Sequence, residues 1–341
     1  MVIKVGKVTL ESISSILNVS QNTVSKALRG APGVSDELRE KIFNLAAEMG
    51  YKKVQPAAEI SVKNITLLCR SSFLSDVTFW SQVFSGISKY CSKNNIKLSV
   101  VSIDGNKEEK AETILSIMPY TADGFIIAGT ISDTLLKKIK ASKIPFVVVD
   151  HFSEEVDCDY INISNKLGIY KLMKHIYSKG HRNIGFISNS ISAYSFTERF
   201  DAYLKYMKDF KLSVSAEYLW LEAEYIQTDY LKNKLSTYIK NKDFPTAWVC
   251  VNDNTALTFI KALTEMNITV PEDVSVVGFD NISELIYTNL TTIDVPKESI
   301  GEKAVEQLIS RVENPTKPFE DIMLSVELIE RASVKKLPVS E

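Results

Sequence analysis

The sequence predicts an α/β protein in which an N-terminal three-helix domain of the helix-turn-helix type precedes a two-lobed domain with parallel sheets. Before Tyr51, apolar residues recur at helical spacing in three short segments. From Asn64 onward, continuous apolar runs alternate with helical stretches, and this rhythm restarts near Ile184. Continuous apolar strands joined by helices are typical of a parallel sheet covered on both faces. The restart therefore indicates two similar, successive lobes.

The segment from Val8 to Leu28 reads as two short helices joined by a tight turn. The first helix is expected to present one apolar face, made by Leu10, Ile13, Ile16 and Leu17. Asn18 and Ser20 flank the turn, and both residue types favour turns and caps. Ser20 is suited to cap the second helix through its hydroxyl.

The second helix is expected to bury Val24, Ala27 and Leu28. The side chains left outward are polar or cationic, namely Gln21, Asn22, Ser25, Lys26 and Arg29. Amides, hydroxyls and cations suit both base edges and phosphates, so we interpret this segment as a recognition helix. The alternative is a helical hairpin that only caps a larger domain, but the outward face lacks the Glu/Lys alternation of a merely solvated helix.

The charge distribution agrees with a nucleic-acid partner at this end of the chain. Residues 1–35 carry four cations and one acid, whereas the whole chain has a net charge of −2. A basic end on a slightly acidic body is a modest electrostatic footprint for DNA.

A third helix and a linker follow. Ser35 is predicted to cap a helix that buries Leu38, Ile42, Leu45 and Ala46. Gly50 is a natural stop for this helix. The linker contains Pro56, which could open a short helix over 57–60 that needs outside support to form. The expected domains are 1–51 for DNA binding, 52–63 as the hinge, 64–334 for effector binding and dimerisation, and 335–341 as a tail.

The second domain contains the alternating elements. Strands are predicted at Ile65–Cys69, Lys97–Ile103, Gly124–Gly129 and Phe146–Asp150, then at Ile184–Ser188, Ala247–Val251 and Val274–Phe279. Helices are predicted at Val77–Asn94, Glu108–Pro119 and Ser132–Ser142, then at Glu198–Phe210 and Thr255–Met266. Ligands of such sheets bind outside the carboxyl ends of the strands, so the cleft between the lobes is the expected site.

The ends of these strands carry polar and aromatic residues. They include Arg70–Phe73, Phe79, Trp80, Asp150–Phe152, Ser188–Ser190, Asn252–Asn254, Asp280 and Asn281. Carboxylates and amides bind hydroxyl groups, while an aromatic ring packs against the apolar face of a sugar. Any single Asn or Asp here could be only a turn or cap residue, and Trp80 could be core. The interpretation as a site for a polyhydroxylated ligand depends on the whole set.

Other functional classes are disfavoured. No apolar run approaches the ~20 residues needed to cross a bilayer, and no signal-peptide pattern opens the chain, so a cytoplasmic location is expected. The four cysteines form no CxxC pair and should be buried free thiols, and the three histidines show no metal-site spacing. The nucleotide-binding and nucleophile-elbow motifs do not occur at strand–helix junctions, so neither an enzyme nor a cofactor is expected.

Several motifs, in their order and spacing, carry a family resemblance. They are VTLESISSILNVSQNTVSKAL (8–28), VSDELREKIFNLAAEMGY (34–51), SKGHRNIGFIS (178–188), ERFDAY (198–203), FPTAWVCVNDNTA (244–256), VPEDVSVVGFDN (270–281), LTTIDVPKESIGEKAVEQLI (290–309) and ELIERASV (327–334). With them the chain resembles, from end to end, bacterial transcription regulators of the lac-repressor (LacI/GalR) family. The resemblance implies a homodimeric repressor with a periplasmic-binding-protein-like body, which binds a pseudo-palindromic operator in double-stranded DNA.

The resemblance also implies site residues. Base contacts fall on Gln21, Asn22 and Lys26, and phosphate contacts on Thr9, Ser20, Thr23, Ser25 and Arg29. In the hinge, Ala57 and the minor-groove wedge Ile60 match the family pattern, while the usual Asn, Arg and early Pro do not, and Glu59 would lie near phosphate. Effector contacts fall on Phe73, Phe79, Asp150, Arg199, Tyr225, Asn252, Asp253 and Asp280.

Three functions remain open at this stage. The first is an operator-binding repressor whose DNA affinity is changed by a sugar or sugar derivative. The second is a purine-type co-repressed regulator, or a phosphoprotein-activated one that would need a basic surface such as Lys297, Lys303 and Arg311. The third is a sugar-binding or enzymatic protein with a vestigial DNA-binding domain. The sequence does not identify the effector or the operator.

Overall fold

The computed structural model describes residues 9–28, 33–49, 51, 62–74, 76–104, 122–189, 193–223, 227–282 and 289–338. Contacts divide the chain into two compact units, Met1–Ile60 and Ser61–Glu341. In the described ranges, no helix has both the length and the apolar character that a membrane span requires.

The first unit contains three helices, α1 (Leu10–Leu17), α2 (Gln21–Leu28) and α3 (Asp36–Glu48). Their buried core consists of Ile13, Val24, Ala27, Leu28, Ile42 and Ala46. The predicted cap of α2 is confirmed, because the Ser20 hydroxyl accepts the backbone N–H of Thr23 at 3.0 Å. The Ser35 hydroxyl likewise accepts the N–H of Leu38 at 3.4 Å.

The prediction of which residues form the buried face of α1 was wrong at one position. Ile16 is 58% exposed, whereas Ser14 is buried beside Ile13. At 100° per residue, the buried arc of α1 is centred between Leu10 and Leu17, and Ser14 falls within it while Ile16 falls outside. The Ser14 hydroxyl donates to the carbonyl of Glu11 at 2.9 Å, which allows the polar side chain to be buried.

The second unit contains twelve described strands and eight described α-helices. The strands are β1 (Asn64–Arg70), β2 (Lys97–Ile103), β3 (Gly124–Ala128), β4 (Phe146–Val149), β5 (Asp159–Ile163), β6 (Ile184–Asn189), β7 (Leu219–Ala223), β8 (Ala247–Cys250), β9 (Ser275–Val277), β10 (Thr292–Asp294), β11 (Asp321–Leu324) and β12 (Glu327–Ile329). The helices are α4 (Ser71–Leu74), α5 (Trp80–Lys93), α6 (Asp133–Ala141), α7 (Asn165–Ser178), α8 (Tyr194–Asp209), α9 (Thr228–Tyr238), α10 (Asp253–Glu265) and α11 (Lys297–Glu313), with a 3-10 turn at Ala216–Tyr218.

The strands form two parallel sheets, as predicted. The first has the order β11-β5-β4-β3-β1-β2, and the second has the order β7-β6-β8-β9. In the first sheet, Ile65 of β1 lies opposite Leu98 on one side and Gly124 on the other. Strands β10 and β12 pair antiparallel outside both sheets. All four cysteines are buried and free, as predicted.

The lobes are not successive along the chain, which corrects the sequence-based expectation. After the second sheet is complete, α11 and β11 return to the first lobe, where β11 pairs with β5. Arg311 of α11 donates from Nε to Asp159 of β5 at 2.7 Å, and both side chains are buried. The predicted helix Glu108–Pro119 lies outside the described residues.

Several elements of the second unit were not predicted, and β5 shows why. Its sequence, DYINI, has two polar residues in five and does not read as a continuous apolar strand. All five residues are nevertheless buried. Asp159 accepts hydrogen bonds from Gln307 at 3.0 Å and from Arg311, both supplied by α11. A buried polar residue becomes acceptable when distant groups satisfy it.

Candidate functional site

Helix α2 presents the side chains expected to read DNA. Gln21, Asn22 and Lys26 are exposed, while the opposite face is buried in the core of the first unit. Arg39 donates from Nη1 to the carbonyl of Ala27 at 3.0 Å and so binds the C-terminal end of the helix. Ser20 lies at the N-terminus of α2, where its hydroxyl is 2.8 Å from that of Thr23. Of the other expected contacts, Thr9 caps α1 by accepting the Ser12 N–H at 3.3 Å, and Ser25 is partly exposed on α2. Arg29, Ala57 and Ile60 lie outside the described residues.

A cavity of about 380 Å³ lies between the carboxyl ends of the two sheets. The first lobe contributes Arg70, Ser72, Phe73, Asp76, Phe79, Trp80, Gly129, Thr130 and Asp150. The second lobe contributes Asn189, Ala193, Ser195, Phe196, Arg199, Asn252, Asn254 and Asp280. The expected effector residues Phe73, Phe79, Asp150, Arg199, Asn252 and Asp280 therefore meet in one place. Tyr225 lies outside the described residues.

The first lobe supplies an aromatic wall. Phe73 stacks on Trp80 with ring centroids 4.8 Å apart and planes 13° from parallel. Phe79 meets Trp80 edge-on at 5.2 Å. Gly129 has a positive φ of 74°, and a Cβ there would overlap the Phe73 ring. These contacts group three aromatic side chains at the first-lobe wall of the cavity, and aromatic side chains commonly line small-molecule sites.

The second lobe supplies a buried ion pair. Arg199, only 2% exposed, donates from Nη2 to Oδ1 of Asp280 at 3.2 Å. Its other donors bind the carbonyl of Val251 at 2.8 Å and the side-chain oxygen of Asn165 at 2.9 Å. The guanidinium also lies over the Phe279 ring, 3.7 Å from the centroid. Because Arg199 is held on all sides, the Asp280 carboxylate has a fixed position.

The acids of this cavity are shifted toward protonation. Burial raises the pKa of Asp150 to about 7, although Arg199 opposes the shift. Burial also raises the pKa of Asp280, against the opposing charges of Arg199 and Lys297. Ser195 donates to Asp150 at 3.4 Å. A ligand rich in hydroxyl groups can donate to these carboxyl oxygens, so the cavity suits a polyol better than an anion.

Asp253 was expected to contact effector, but the structure places it outside the cavity. It is fully buried, and its carboxylate accepts from the Thr292 hydroxyl at 2.6 Å and from the Ile282 N–H at 3.1 Å. Burial raises the pKa of Asp253 to about 7. Asn252 does line the cavity, and its side-chain oxygen caps α10 by accepting the Thr255 N–H at 2.9 Å. Asn252 thus fixes the start of α10, and Asp253 fixes the backbone at Ile282 and the side chain of Thr292.

Six residues that line the cavity were not predicted as site residues, namely Asp76, Gly129, Thr130, Ala193, Ser195 and Phe196. Asp76 precedes α5, and its Oδ1 accepts the backbone N–H of Thr78 at 2.8 Å and that of Phe79 at 3.1 Å. The Asp-x-Thr spacing is a recognisable turn signal, but it does not show that the turn borders a cavity. Phe196 lies on the first turn of α8, whereas the helix was predicted to begin only at Glu198.

A basic surface for a phosphoprotein partner was considered at three residues, and the structure contradicts this prediction for two of them. Lys297 is 3% exposed and Arg311 is 5% exposed, so both are internal. Lys303 is paired with Glu306 at 3.2 Å. In the described part of the chain, no cluster of His, Cys, Asp and Glu has the arrangement of a metal site.

Comparison with known protein families identifies two domains in the chain. Residues 9–53 match the family described as "Bacterial regulatory proteins, lacI family", and residues 173–334 match a periplasmic binding protein-like domain. The chain carries a LacI-family DNA-binding domain. It thus combines a helix-turn-helix DNA-binding unit with a two-lobed body, as the sequence predicted.

Curated relatives align with this chain along nearly its whole length. The ribose operon repressor of Haemophilus influenzae is 26% identical over 331 residues, which cover 96% of this chain and 99% of the relative. The transcriptional repressor PurR of Vibrio parahaemolyticus is 27% identical over 334 residues, with 96% and 99% covered. A LacI-family regulator of Enterococcus faecium, solved with bound ribose, has a TM-score of 0.67 and 25% identity, covering 81% of this chain and 100% of that one.

Proposed function

We propose that this protein represses transcription by binding an operator through α2, and that ribose or a closely related sugar in the inter-lobe cavity changes its DNA affinity. The observation that carries this proposal is the arrangement of the cavity. A stacked aromatic wall from one lobe faces the buried Arg199–Asp280 pair of the other. A sugar has both the apolar ring face and the hydroxyl groups that these two walls can bind.

The chemistry of the cavity favours a sugar over a purine. Its carboxyl groups come from Asp76, Asp150 and Asp280, and its amides from Asn189, Asn252 and Asn254. Several acidic acceptors suit several hydroxyl donors, whereas a free purine base offers few donors and several ring acceptors. The similarity to a ribose operon repressor supports a sugar as the effector of this protein. The similarity to PurR makes a purine the competing candidate.

Operator binding is proposed to depend on a dimer. One α2 helix can read only a short stretch of the major groove, and two related half-sites must lie at a fixed spacing. The exposed Gln21, Asn22 and Lys26 are the proposed base contacts. Sedimentation at micromolar concentration should show a dimer, and a monomer under these conditions would contradict this part of the proposal.

The effector is proposed to act through the angle between the lobes. A sugar that touches both walls favours one arrangement of the lobes, and a dimer then presents its DNA-binding units at a different spacing. The two ligands would be coupled by a free energy of about 1–3 kcal/mol, which is typical of allosteric proteins.

The test is a binding screen followed by an operator assay. D-ribose should raise the melting temperature and change operator affinity at fixed salt, because a ligand of the folded state stabilises it. Phe79→Ala should weaken the ribose effect, while Lys303→Met on the exposed side of α11 should leave it unchanged. If no sugar raises the melting temperature and a free purine base does, the purine-type function replaces this one.

A further inference from the structure

The first residue of α11 is Lys297, which contacts the backbone of a cavity residue but does not itself line the effector cavity. Lys297 is buried, and its ammonium group donates to the carbonyl oxygen of Asp280 and, at 3.3 Å, to that of Asn281. Asp280 and Asn281 have positive φ angles of 110° and 49°. Because residues with a side chain rarely adopt such angles, this turn needs support from its surroundings. Lys297 supplies that support through the backbone carbonyl groups of both residues.

The second residue of α11 is attached to the other lobe. Glu298 accepts hydrogen bonds from the Ser85 hydroxyl at 3.1 Å and from the Lys89 ammonium at 2.6 Å, and both donors lie on α5. The backbones of the two helices are also in close contact. A Cβ on Gly86 would overlap the carbonyl oxygen of Glu298, and one on Gly301 would overlap that of Val83. The start of α11 is therefore held firmly against α5.

Helix α5 itself begins in the cavity. Its first residue is Trp80, the centre of the aromatic wall. A continuous path of contacts thus leads from Trp80 along α5 to Glu298, then to Lys297, and back into the cavity at Asp280. The path joins the two walls that a sugar would touch.

The buried ammonium group of Lys297 is better suited to orienting neighbouring backbone groups than to filling space. It donates to two backbone carbonyl oxygens, which only partly offset the cost of removing a cation from water. An apolar side chain of similar length would fill the same space without that cost. It could not, however, hold the two carbonyl groups in place.

We propose that Lys297 is a positioning residue of the effector site, which holds the Asp280 turn in register with the aromatic wall through Glu298 and α5. This inference rests on the proposed function of the cavity. It assigns to Lys297 a role in effector affinity, although the side chain does not line the cavity.

The first test is calorimetric titration with D-ribose. Lys297→Met should weaken binding by about 10- to 150-fold, the loss that corresponds to removing a hydrogen bond from a charged donor. Lys297→Arg, which keeps the cation, should retain most of the affinity. Glu298→Gln touches no group of the cavity, yet it should weaken binding several-fold because it loosens the attachment to α5. Lys303→Met on the same helix is the matched control and should bind like the wild type.

Wild-type affinity in both Lys297→Met and Glu298→Gln would overturn the inference. Equal losses in Lys297→Met and Lys297→Arg would also contradict it, since they would indicate a general packing defect.

The second test needs no ligand and separates this inference from the proposed function. Hydrogen–deuterium exchange of Lys297→Met should be faster at residues 278–282 and unchanged at β6 (Ile184–Asn189), which is a buried strand of the same lobe. A uniform increase in both segments, or no increase at 278–282, would contradict the positioning role. If the wild type fails to bind any sugar, the sugar proposal fails, while the exchange result still decides whether Lys297 holds the Asp280 turn.

Discussion

Asn254 of the second lobe donates a hydrogen bond from Nδ2 to the hydroxyl of Thr78 in the first lobe, at 3.2 Å. The Thr78 hydroxyl in turn donates to Oδ1 of Asp76 at 2.7 Å, so its lone pairs are directed to Asn254. Asp76 and Asn254 both line the cavity. This chain of hydrogen bonds connects the two lobes at the cavity. Closure of the lobes around a ligand would therefore affect these contacts directly.

We therefore predict that Thr78→Val accelerates effector release. Valine keeps the shape of threonine but can neither accept from Asn254 nor donate to Asp76. The loss of one net hydrogen bond, about 0.5–1.5 kcal/mol, corresponds to a roughly 2- to 10-fold faster dissociation of D-ribose. Stopped-flow fluorescence measures this rate, and Thr78→Ser, which keeps the hydroxyl, is the control. An unchanged rate in Thr78→Val would show that this contact does not hold the lobes together.

Arg199→Met should destabilise the second unit strongly. The substitution leaves the Asp280 carboxylate buried without its cation, and such losses typically cost about 3–5 kcal/mol. Urea unfolding at neutral pH measures the free energy. The double variant with Asp280→Asn should recover much of the loss, because it removes the unpaired charge as well. If the double variant is as unstable as Arg199→Met, packing rather than charge explains the effect.

Asp150 should make the stability of the free protein depend on pH. Burial raises its pKa from the ordinary value of 3.8 to about 7, so the folded state favours the protonated form. Its contribution to stability is fully present below pH 3.8 and is lost as the pH rises toward 7. Asp150→Asn should thus gain roughly 1–3 kcal/mol relative to the wild type between pH 4 and pH 7.5. Parallel curves of unfolding free energy against pH for the two proteins would contradict the shift.

Lys26→Ala should weaken operator binding and relax specificity at one base pair. A lysine that contacts a guanine edge contributes about 1–3 kcal/mol. Fluorescence anisotropy on an operator selected from random sequences measures this loss, and Lys41→Ala is the control, since Lys41 on α3 is exposed and pairs with Glu37 at 2.7 Å. A uniform loss across all DNA sequences, with a smaller salt dependence, would instead assign Lys26 to phosphate.

The features that depend on neighbouring residues were predictable. The Ser20 cap, the buried face of α2 and the apolar strands of both sheets follow from hydroxyl chemistry and from the period of apolar residues. The meeting of Asp150 and Asp280 in one cavity was also predictable, because each follows a strand of a different lobe and ligands of such sheets bind outside the carboxyl ends of the strands.

Tertiary structure decided the rest. The return of α11 to the first lobe depends on the pairing of Arg311 with Asp159, 152 residues apart. The same segment also buries Lys297 next to the backbone of Asp280. From sequence alone, both lysine and arginine are expected at the surface. Asp253, which shares its residue type with Asp280, is directed away from the cavity by Thr292. The burial of an apolar residue can be predicted from the periodicity of its own segment. The burial of a polar group depends instead on a hydrogen-bond partner that only the fold brings close to it.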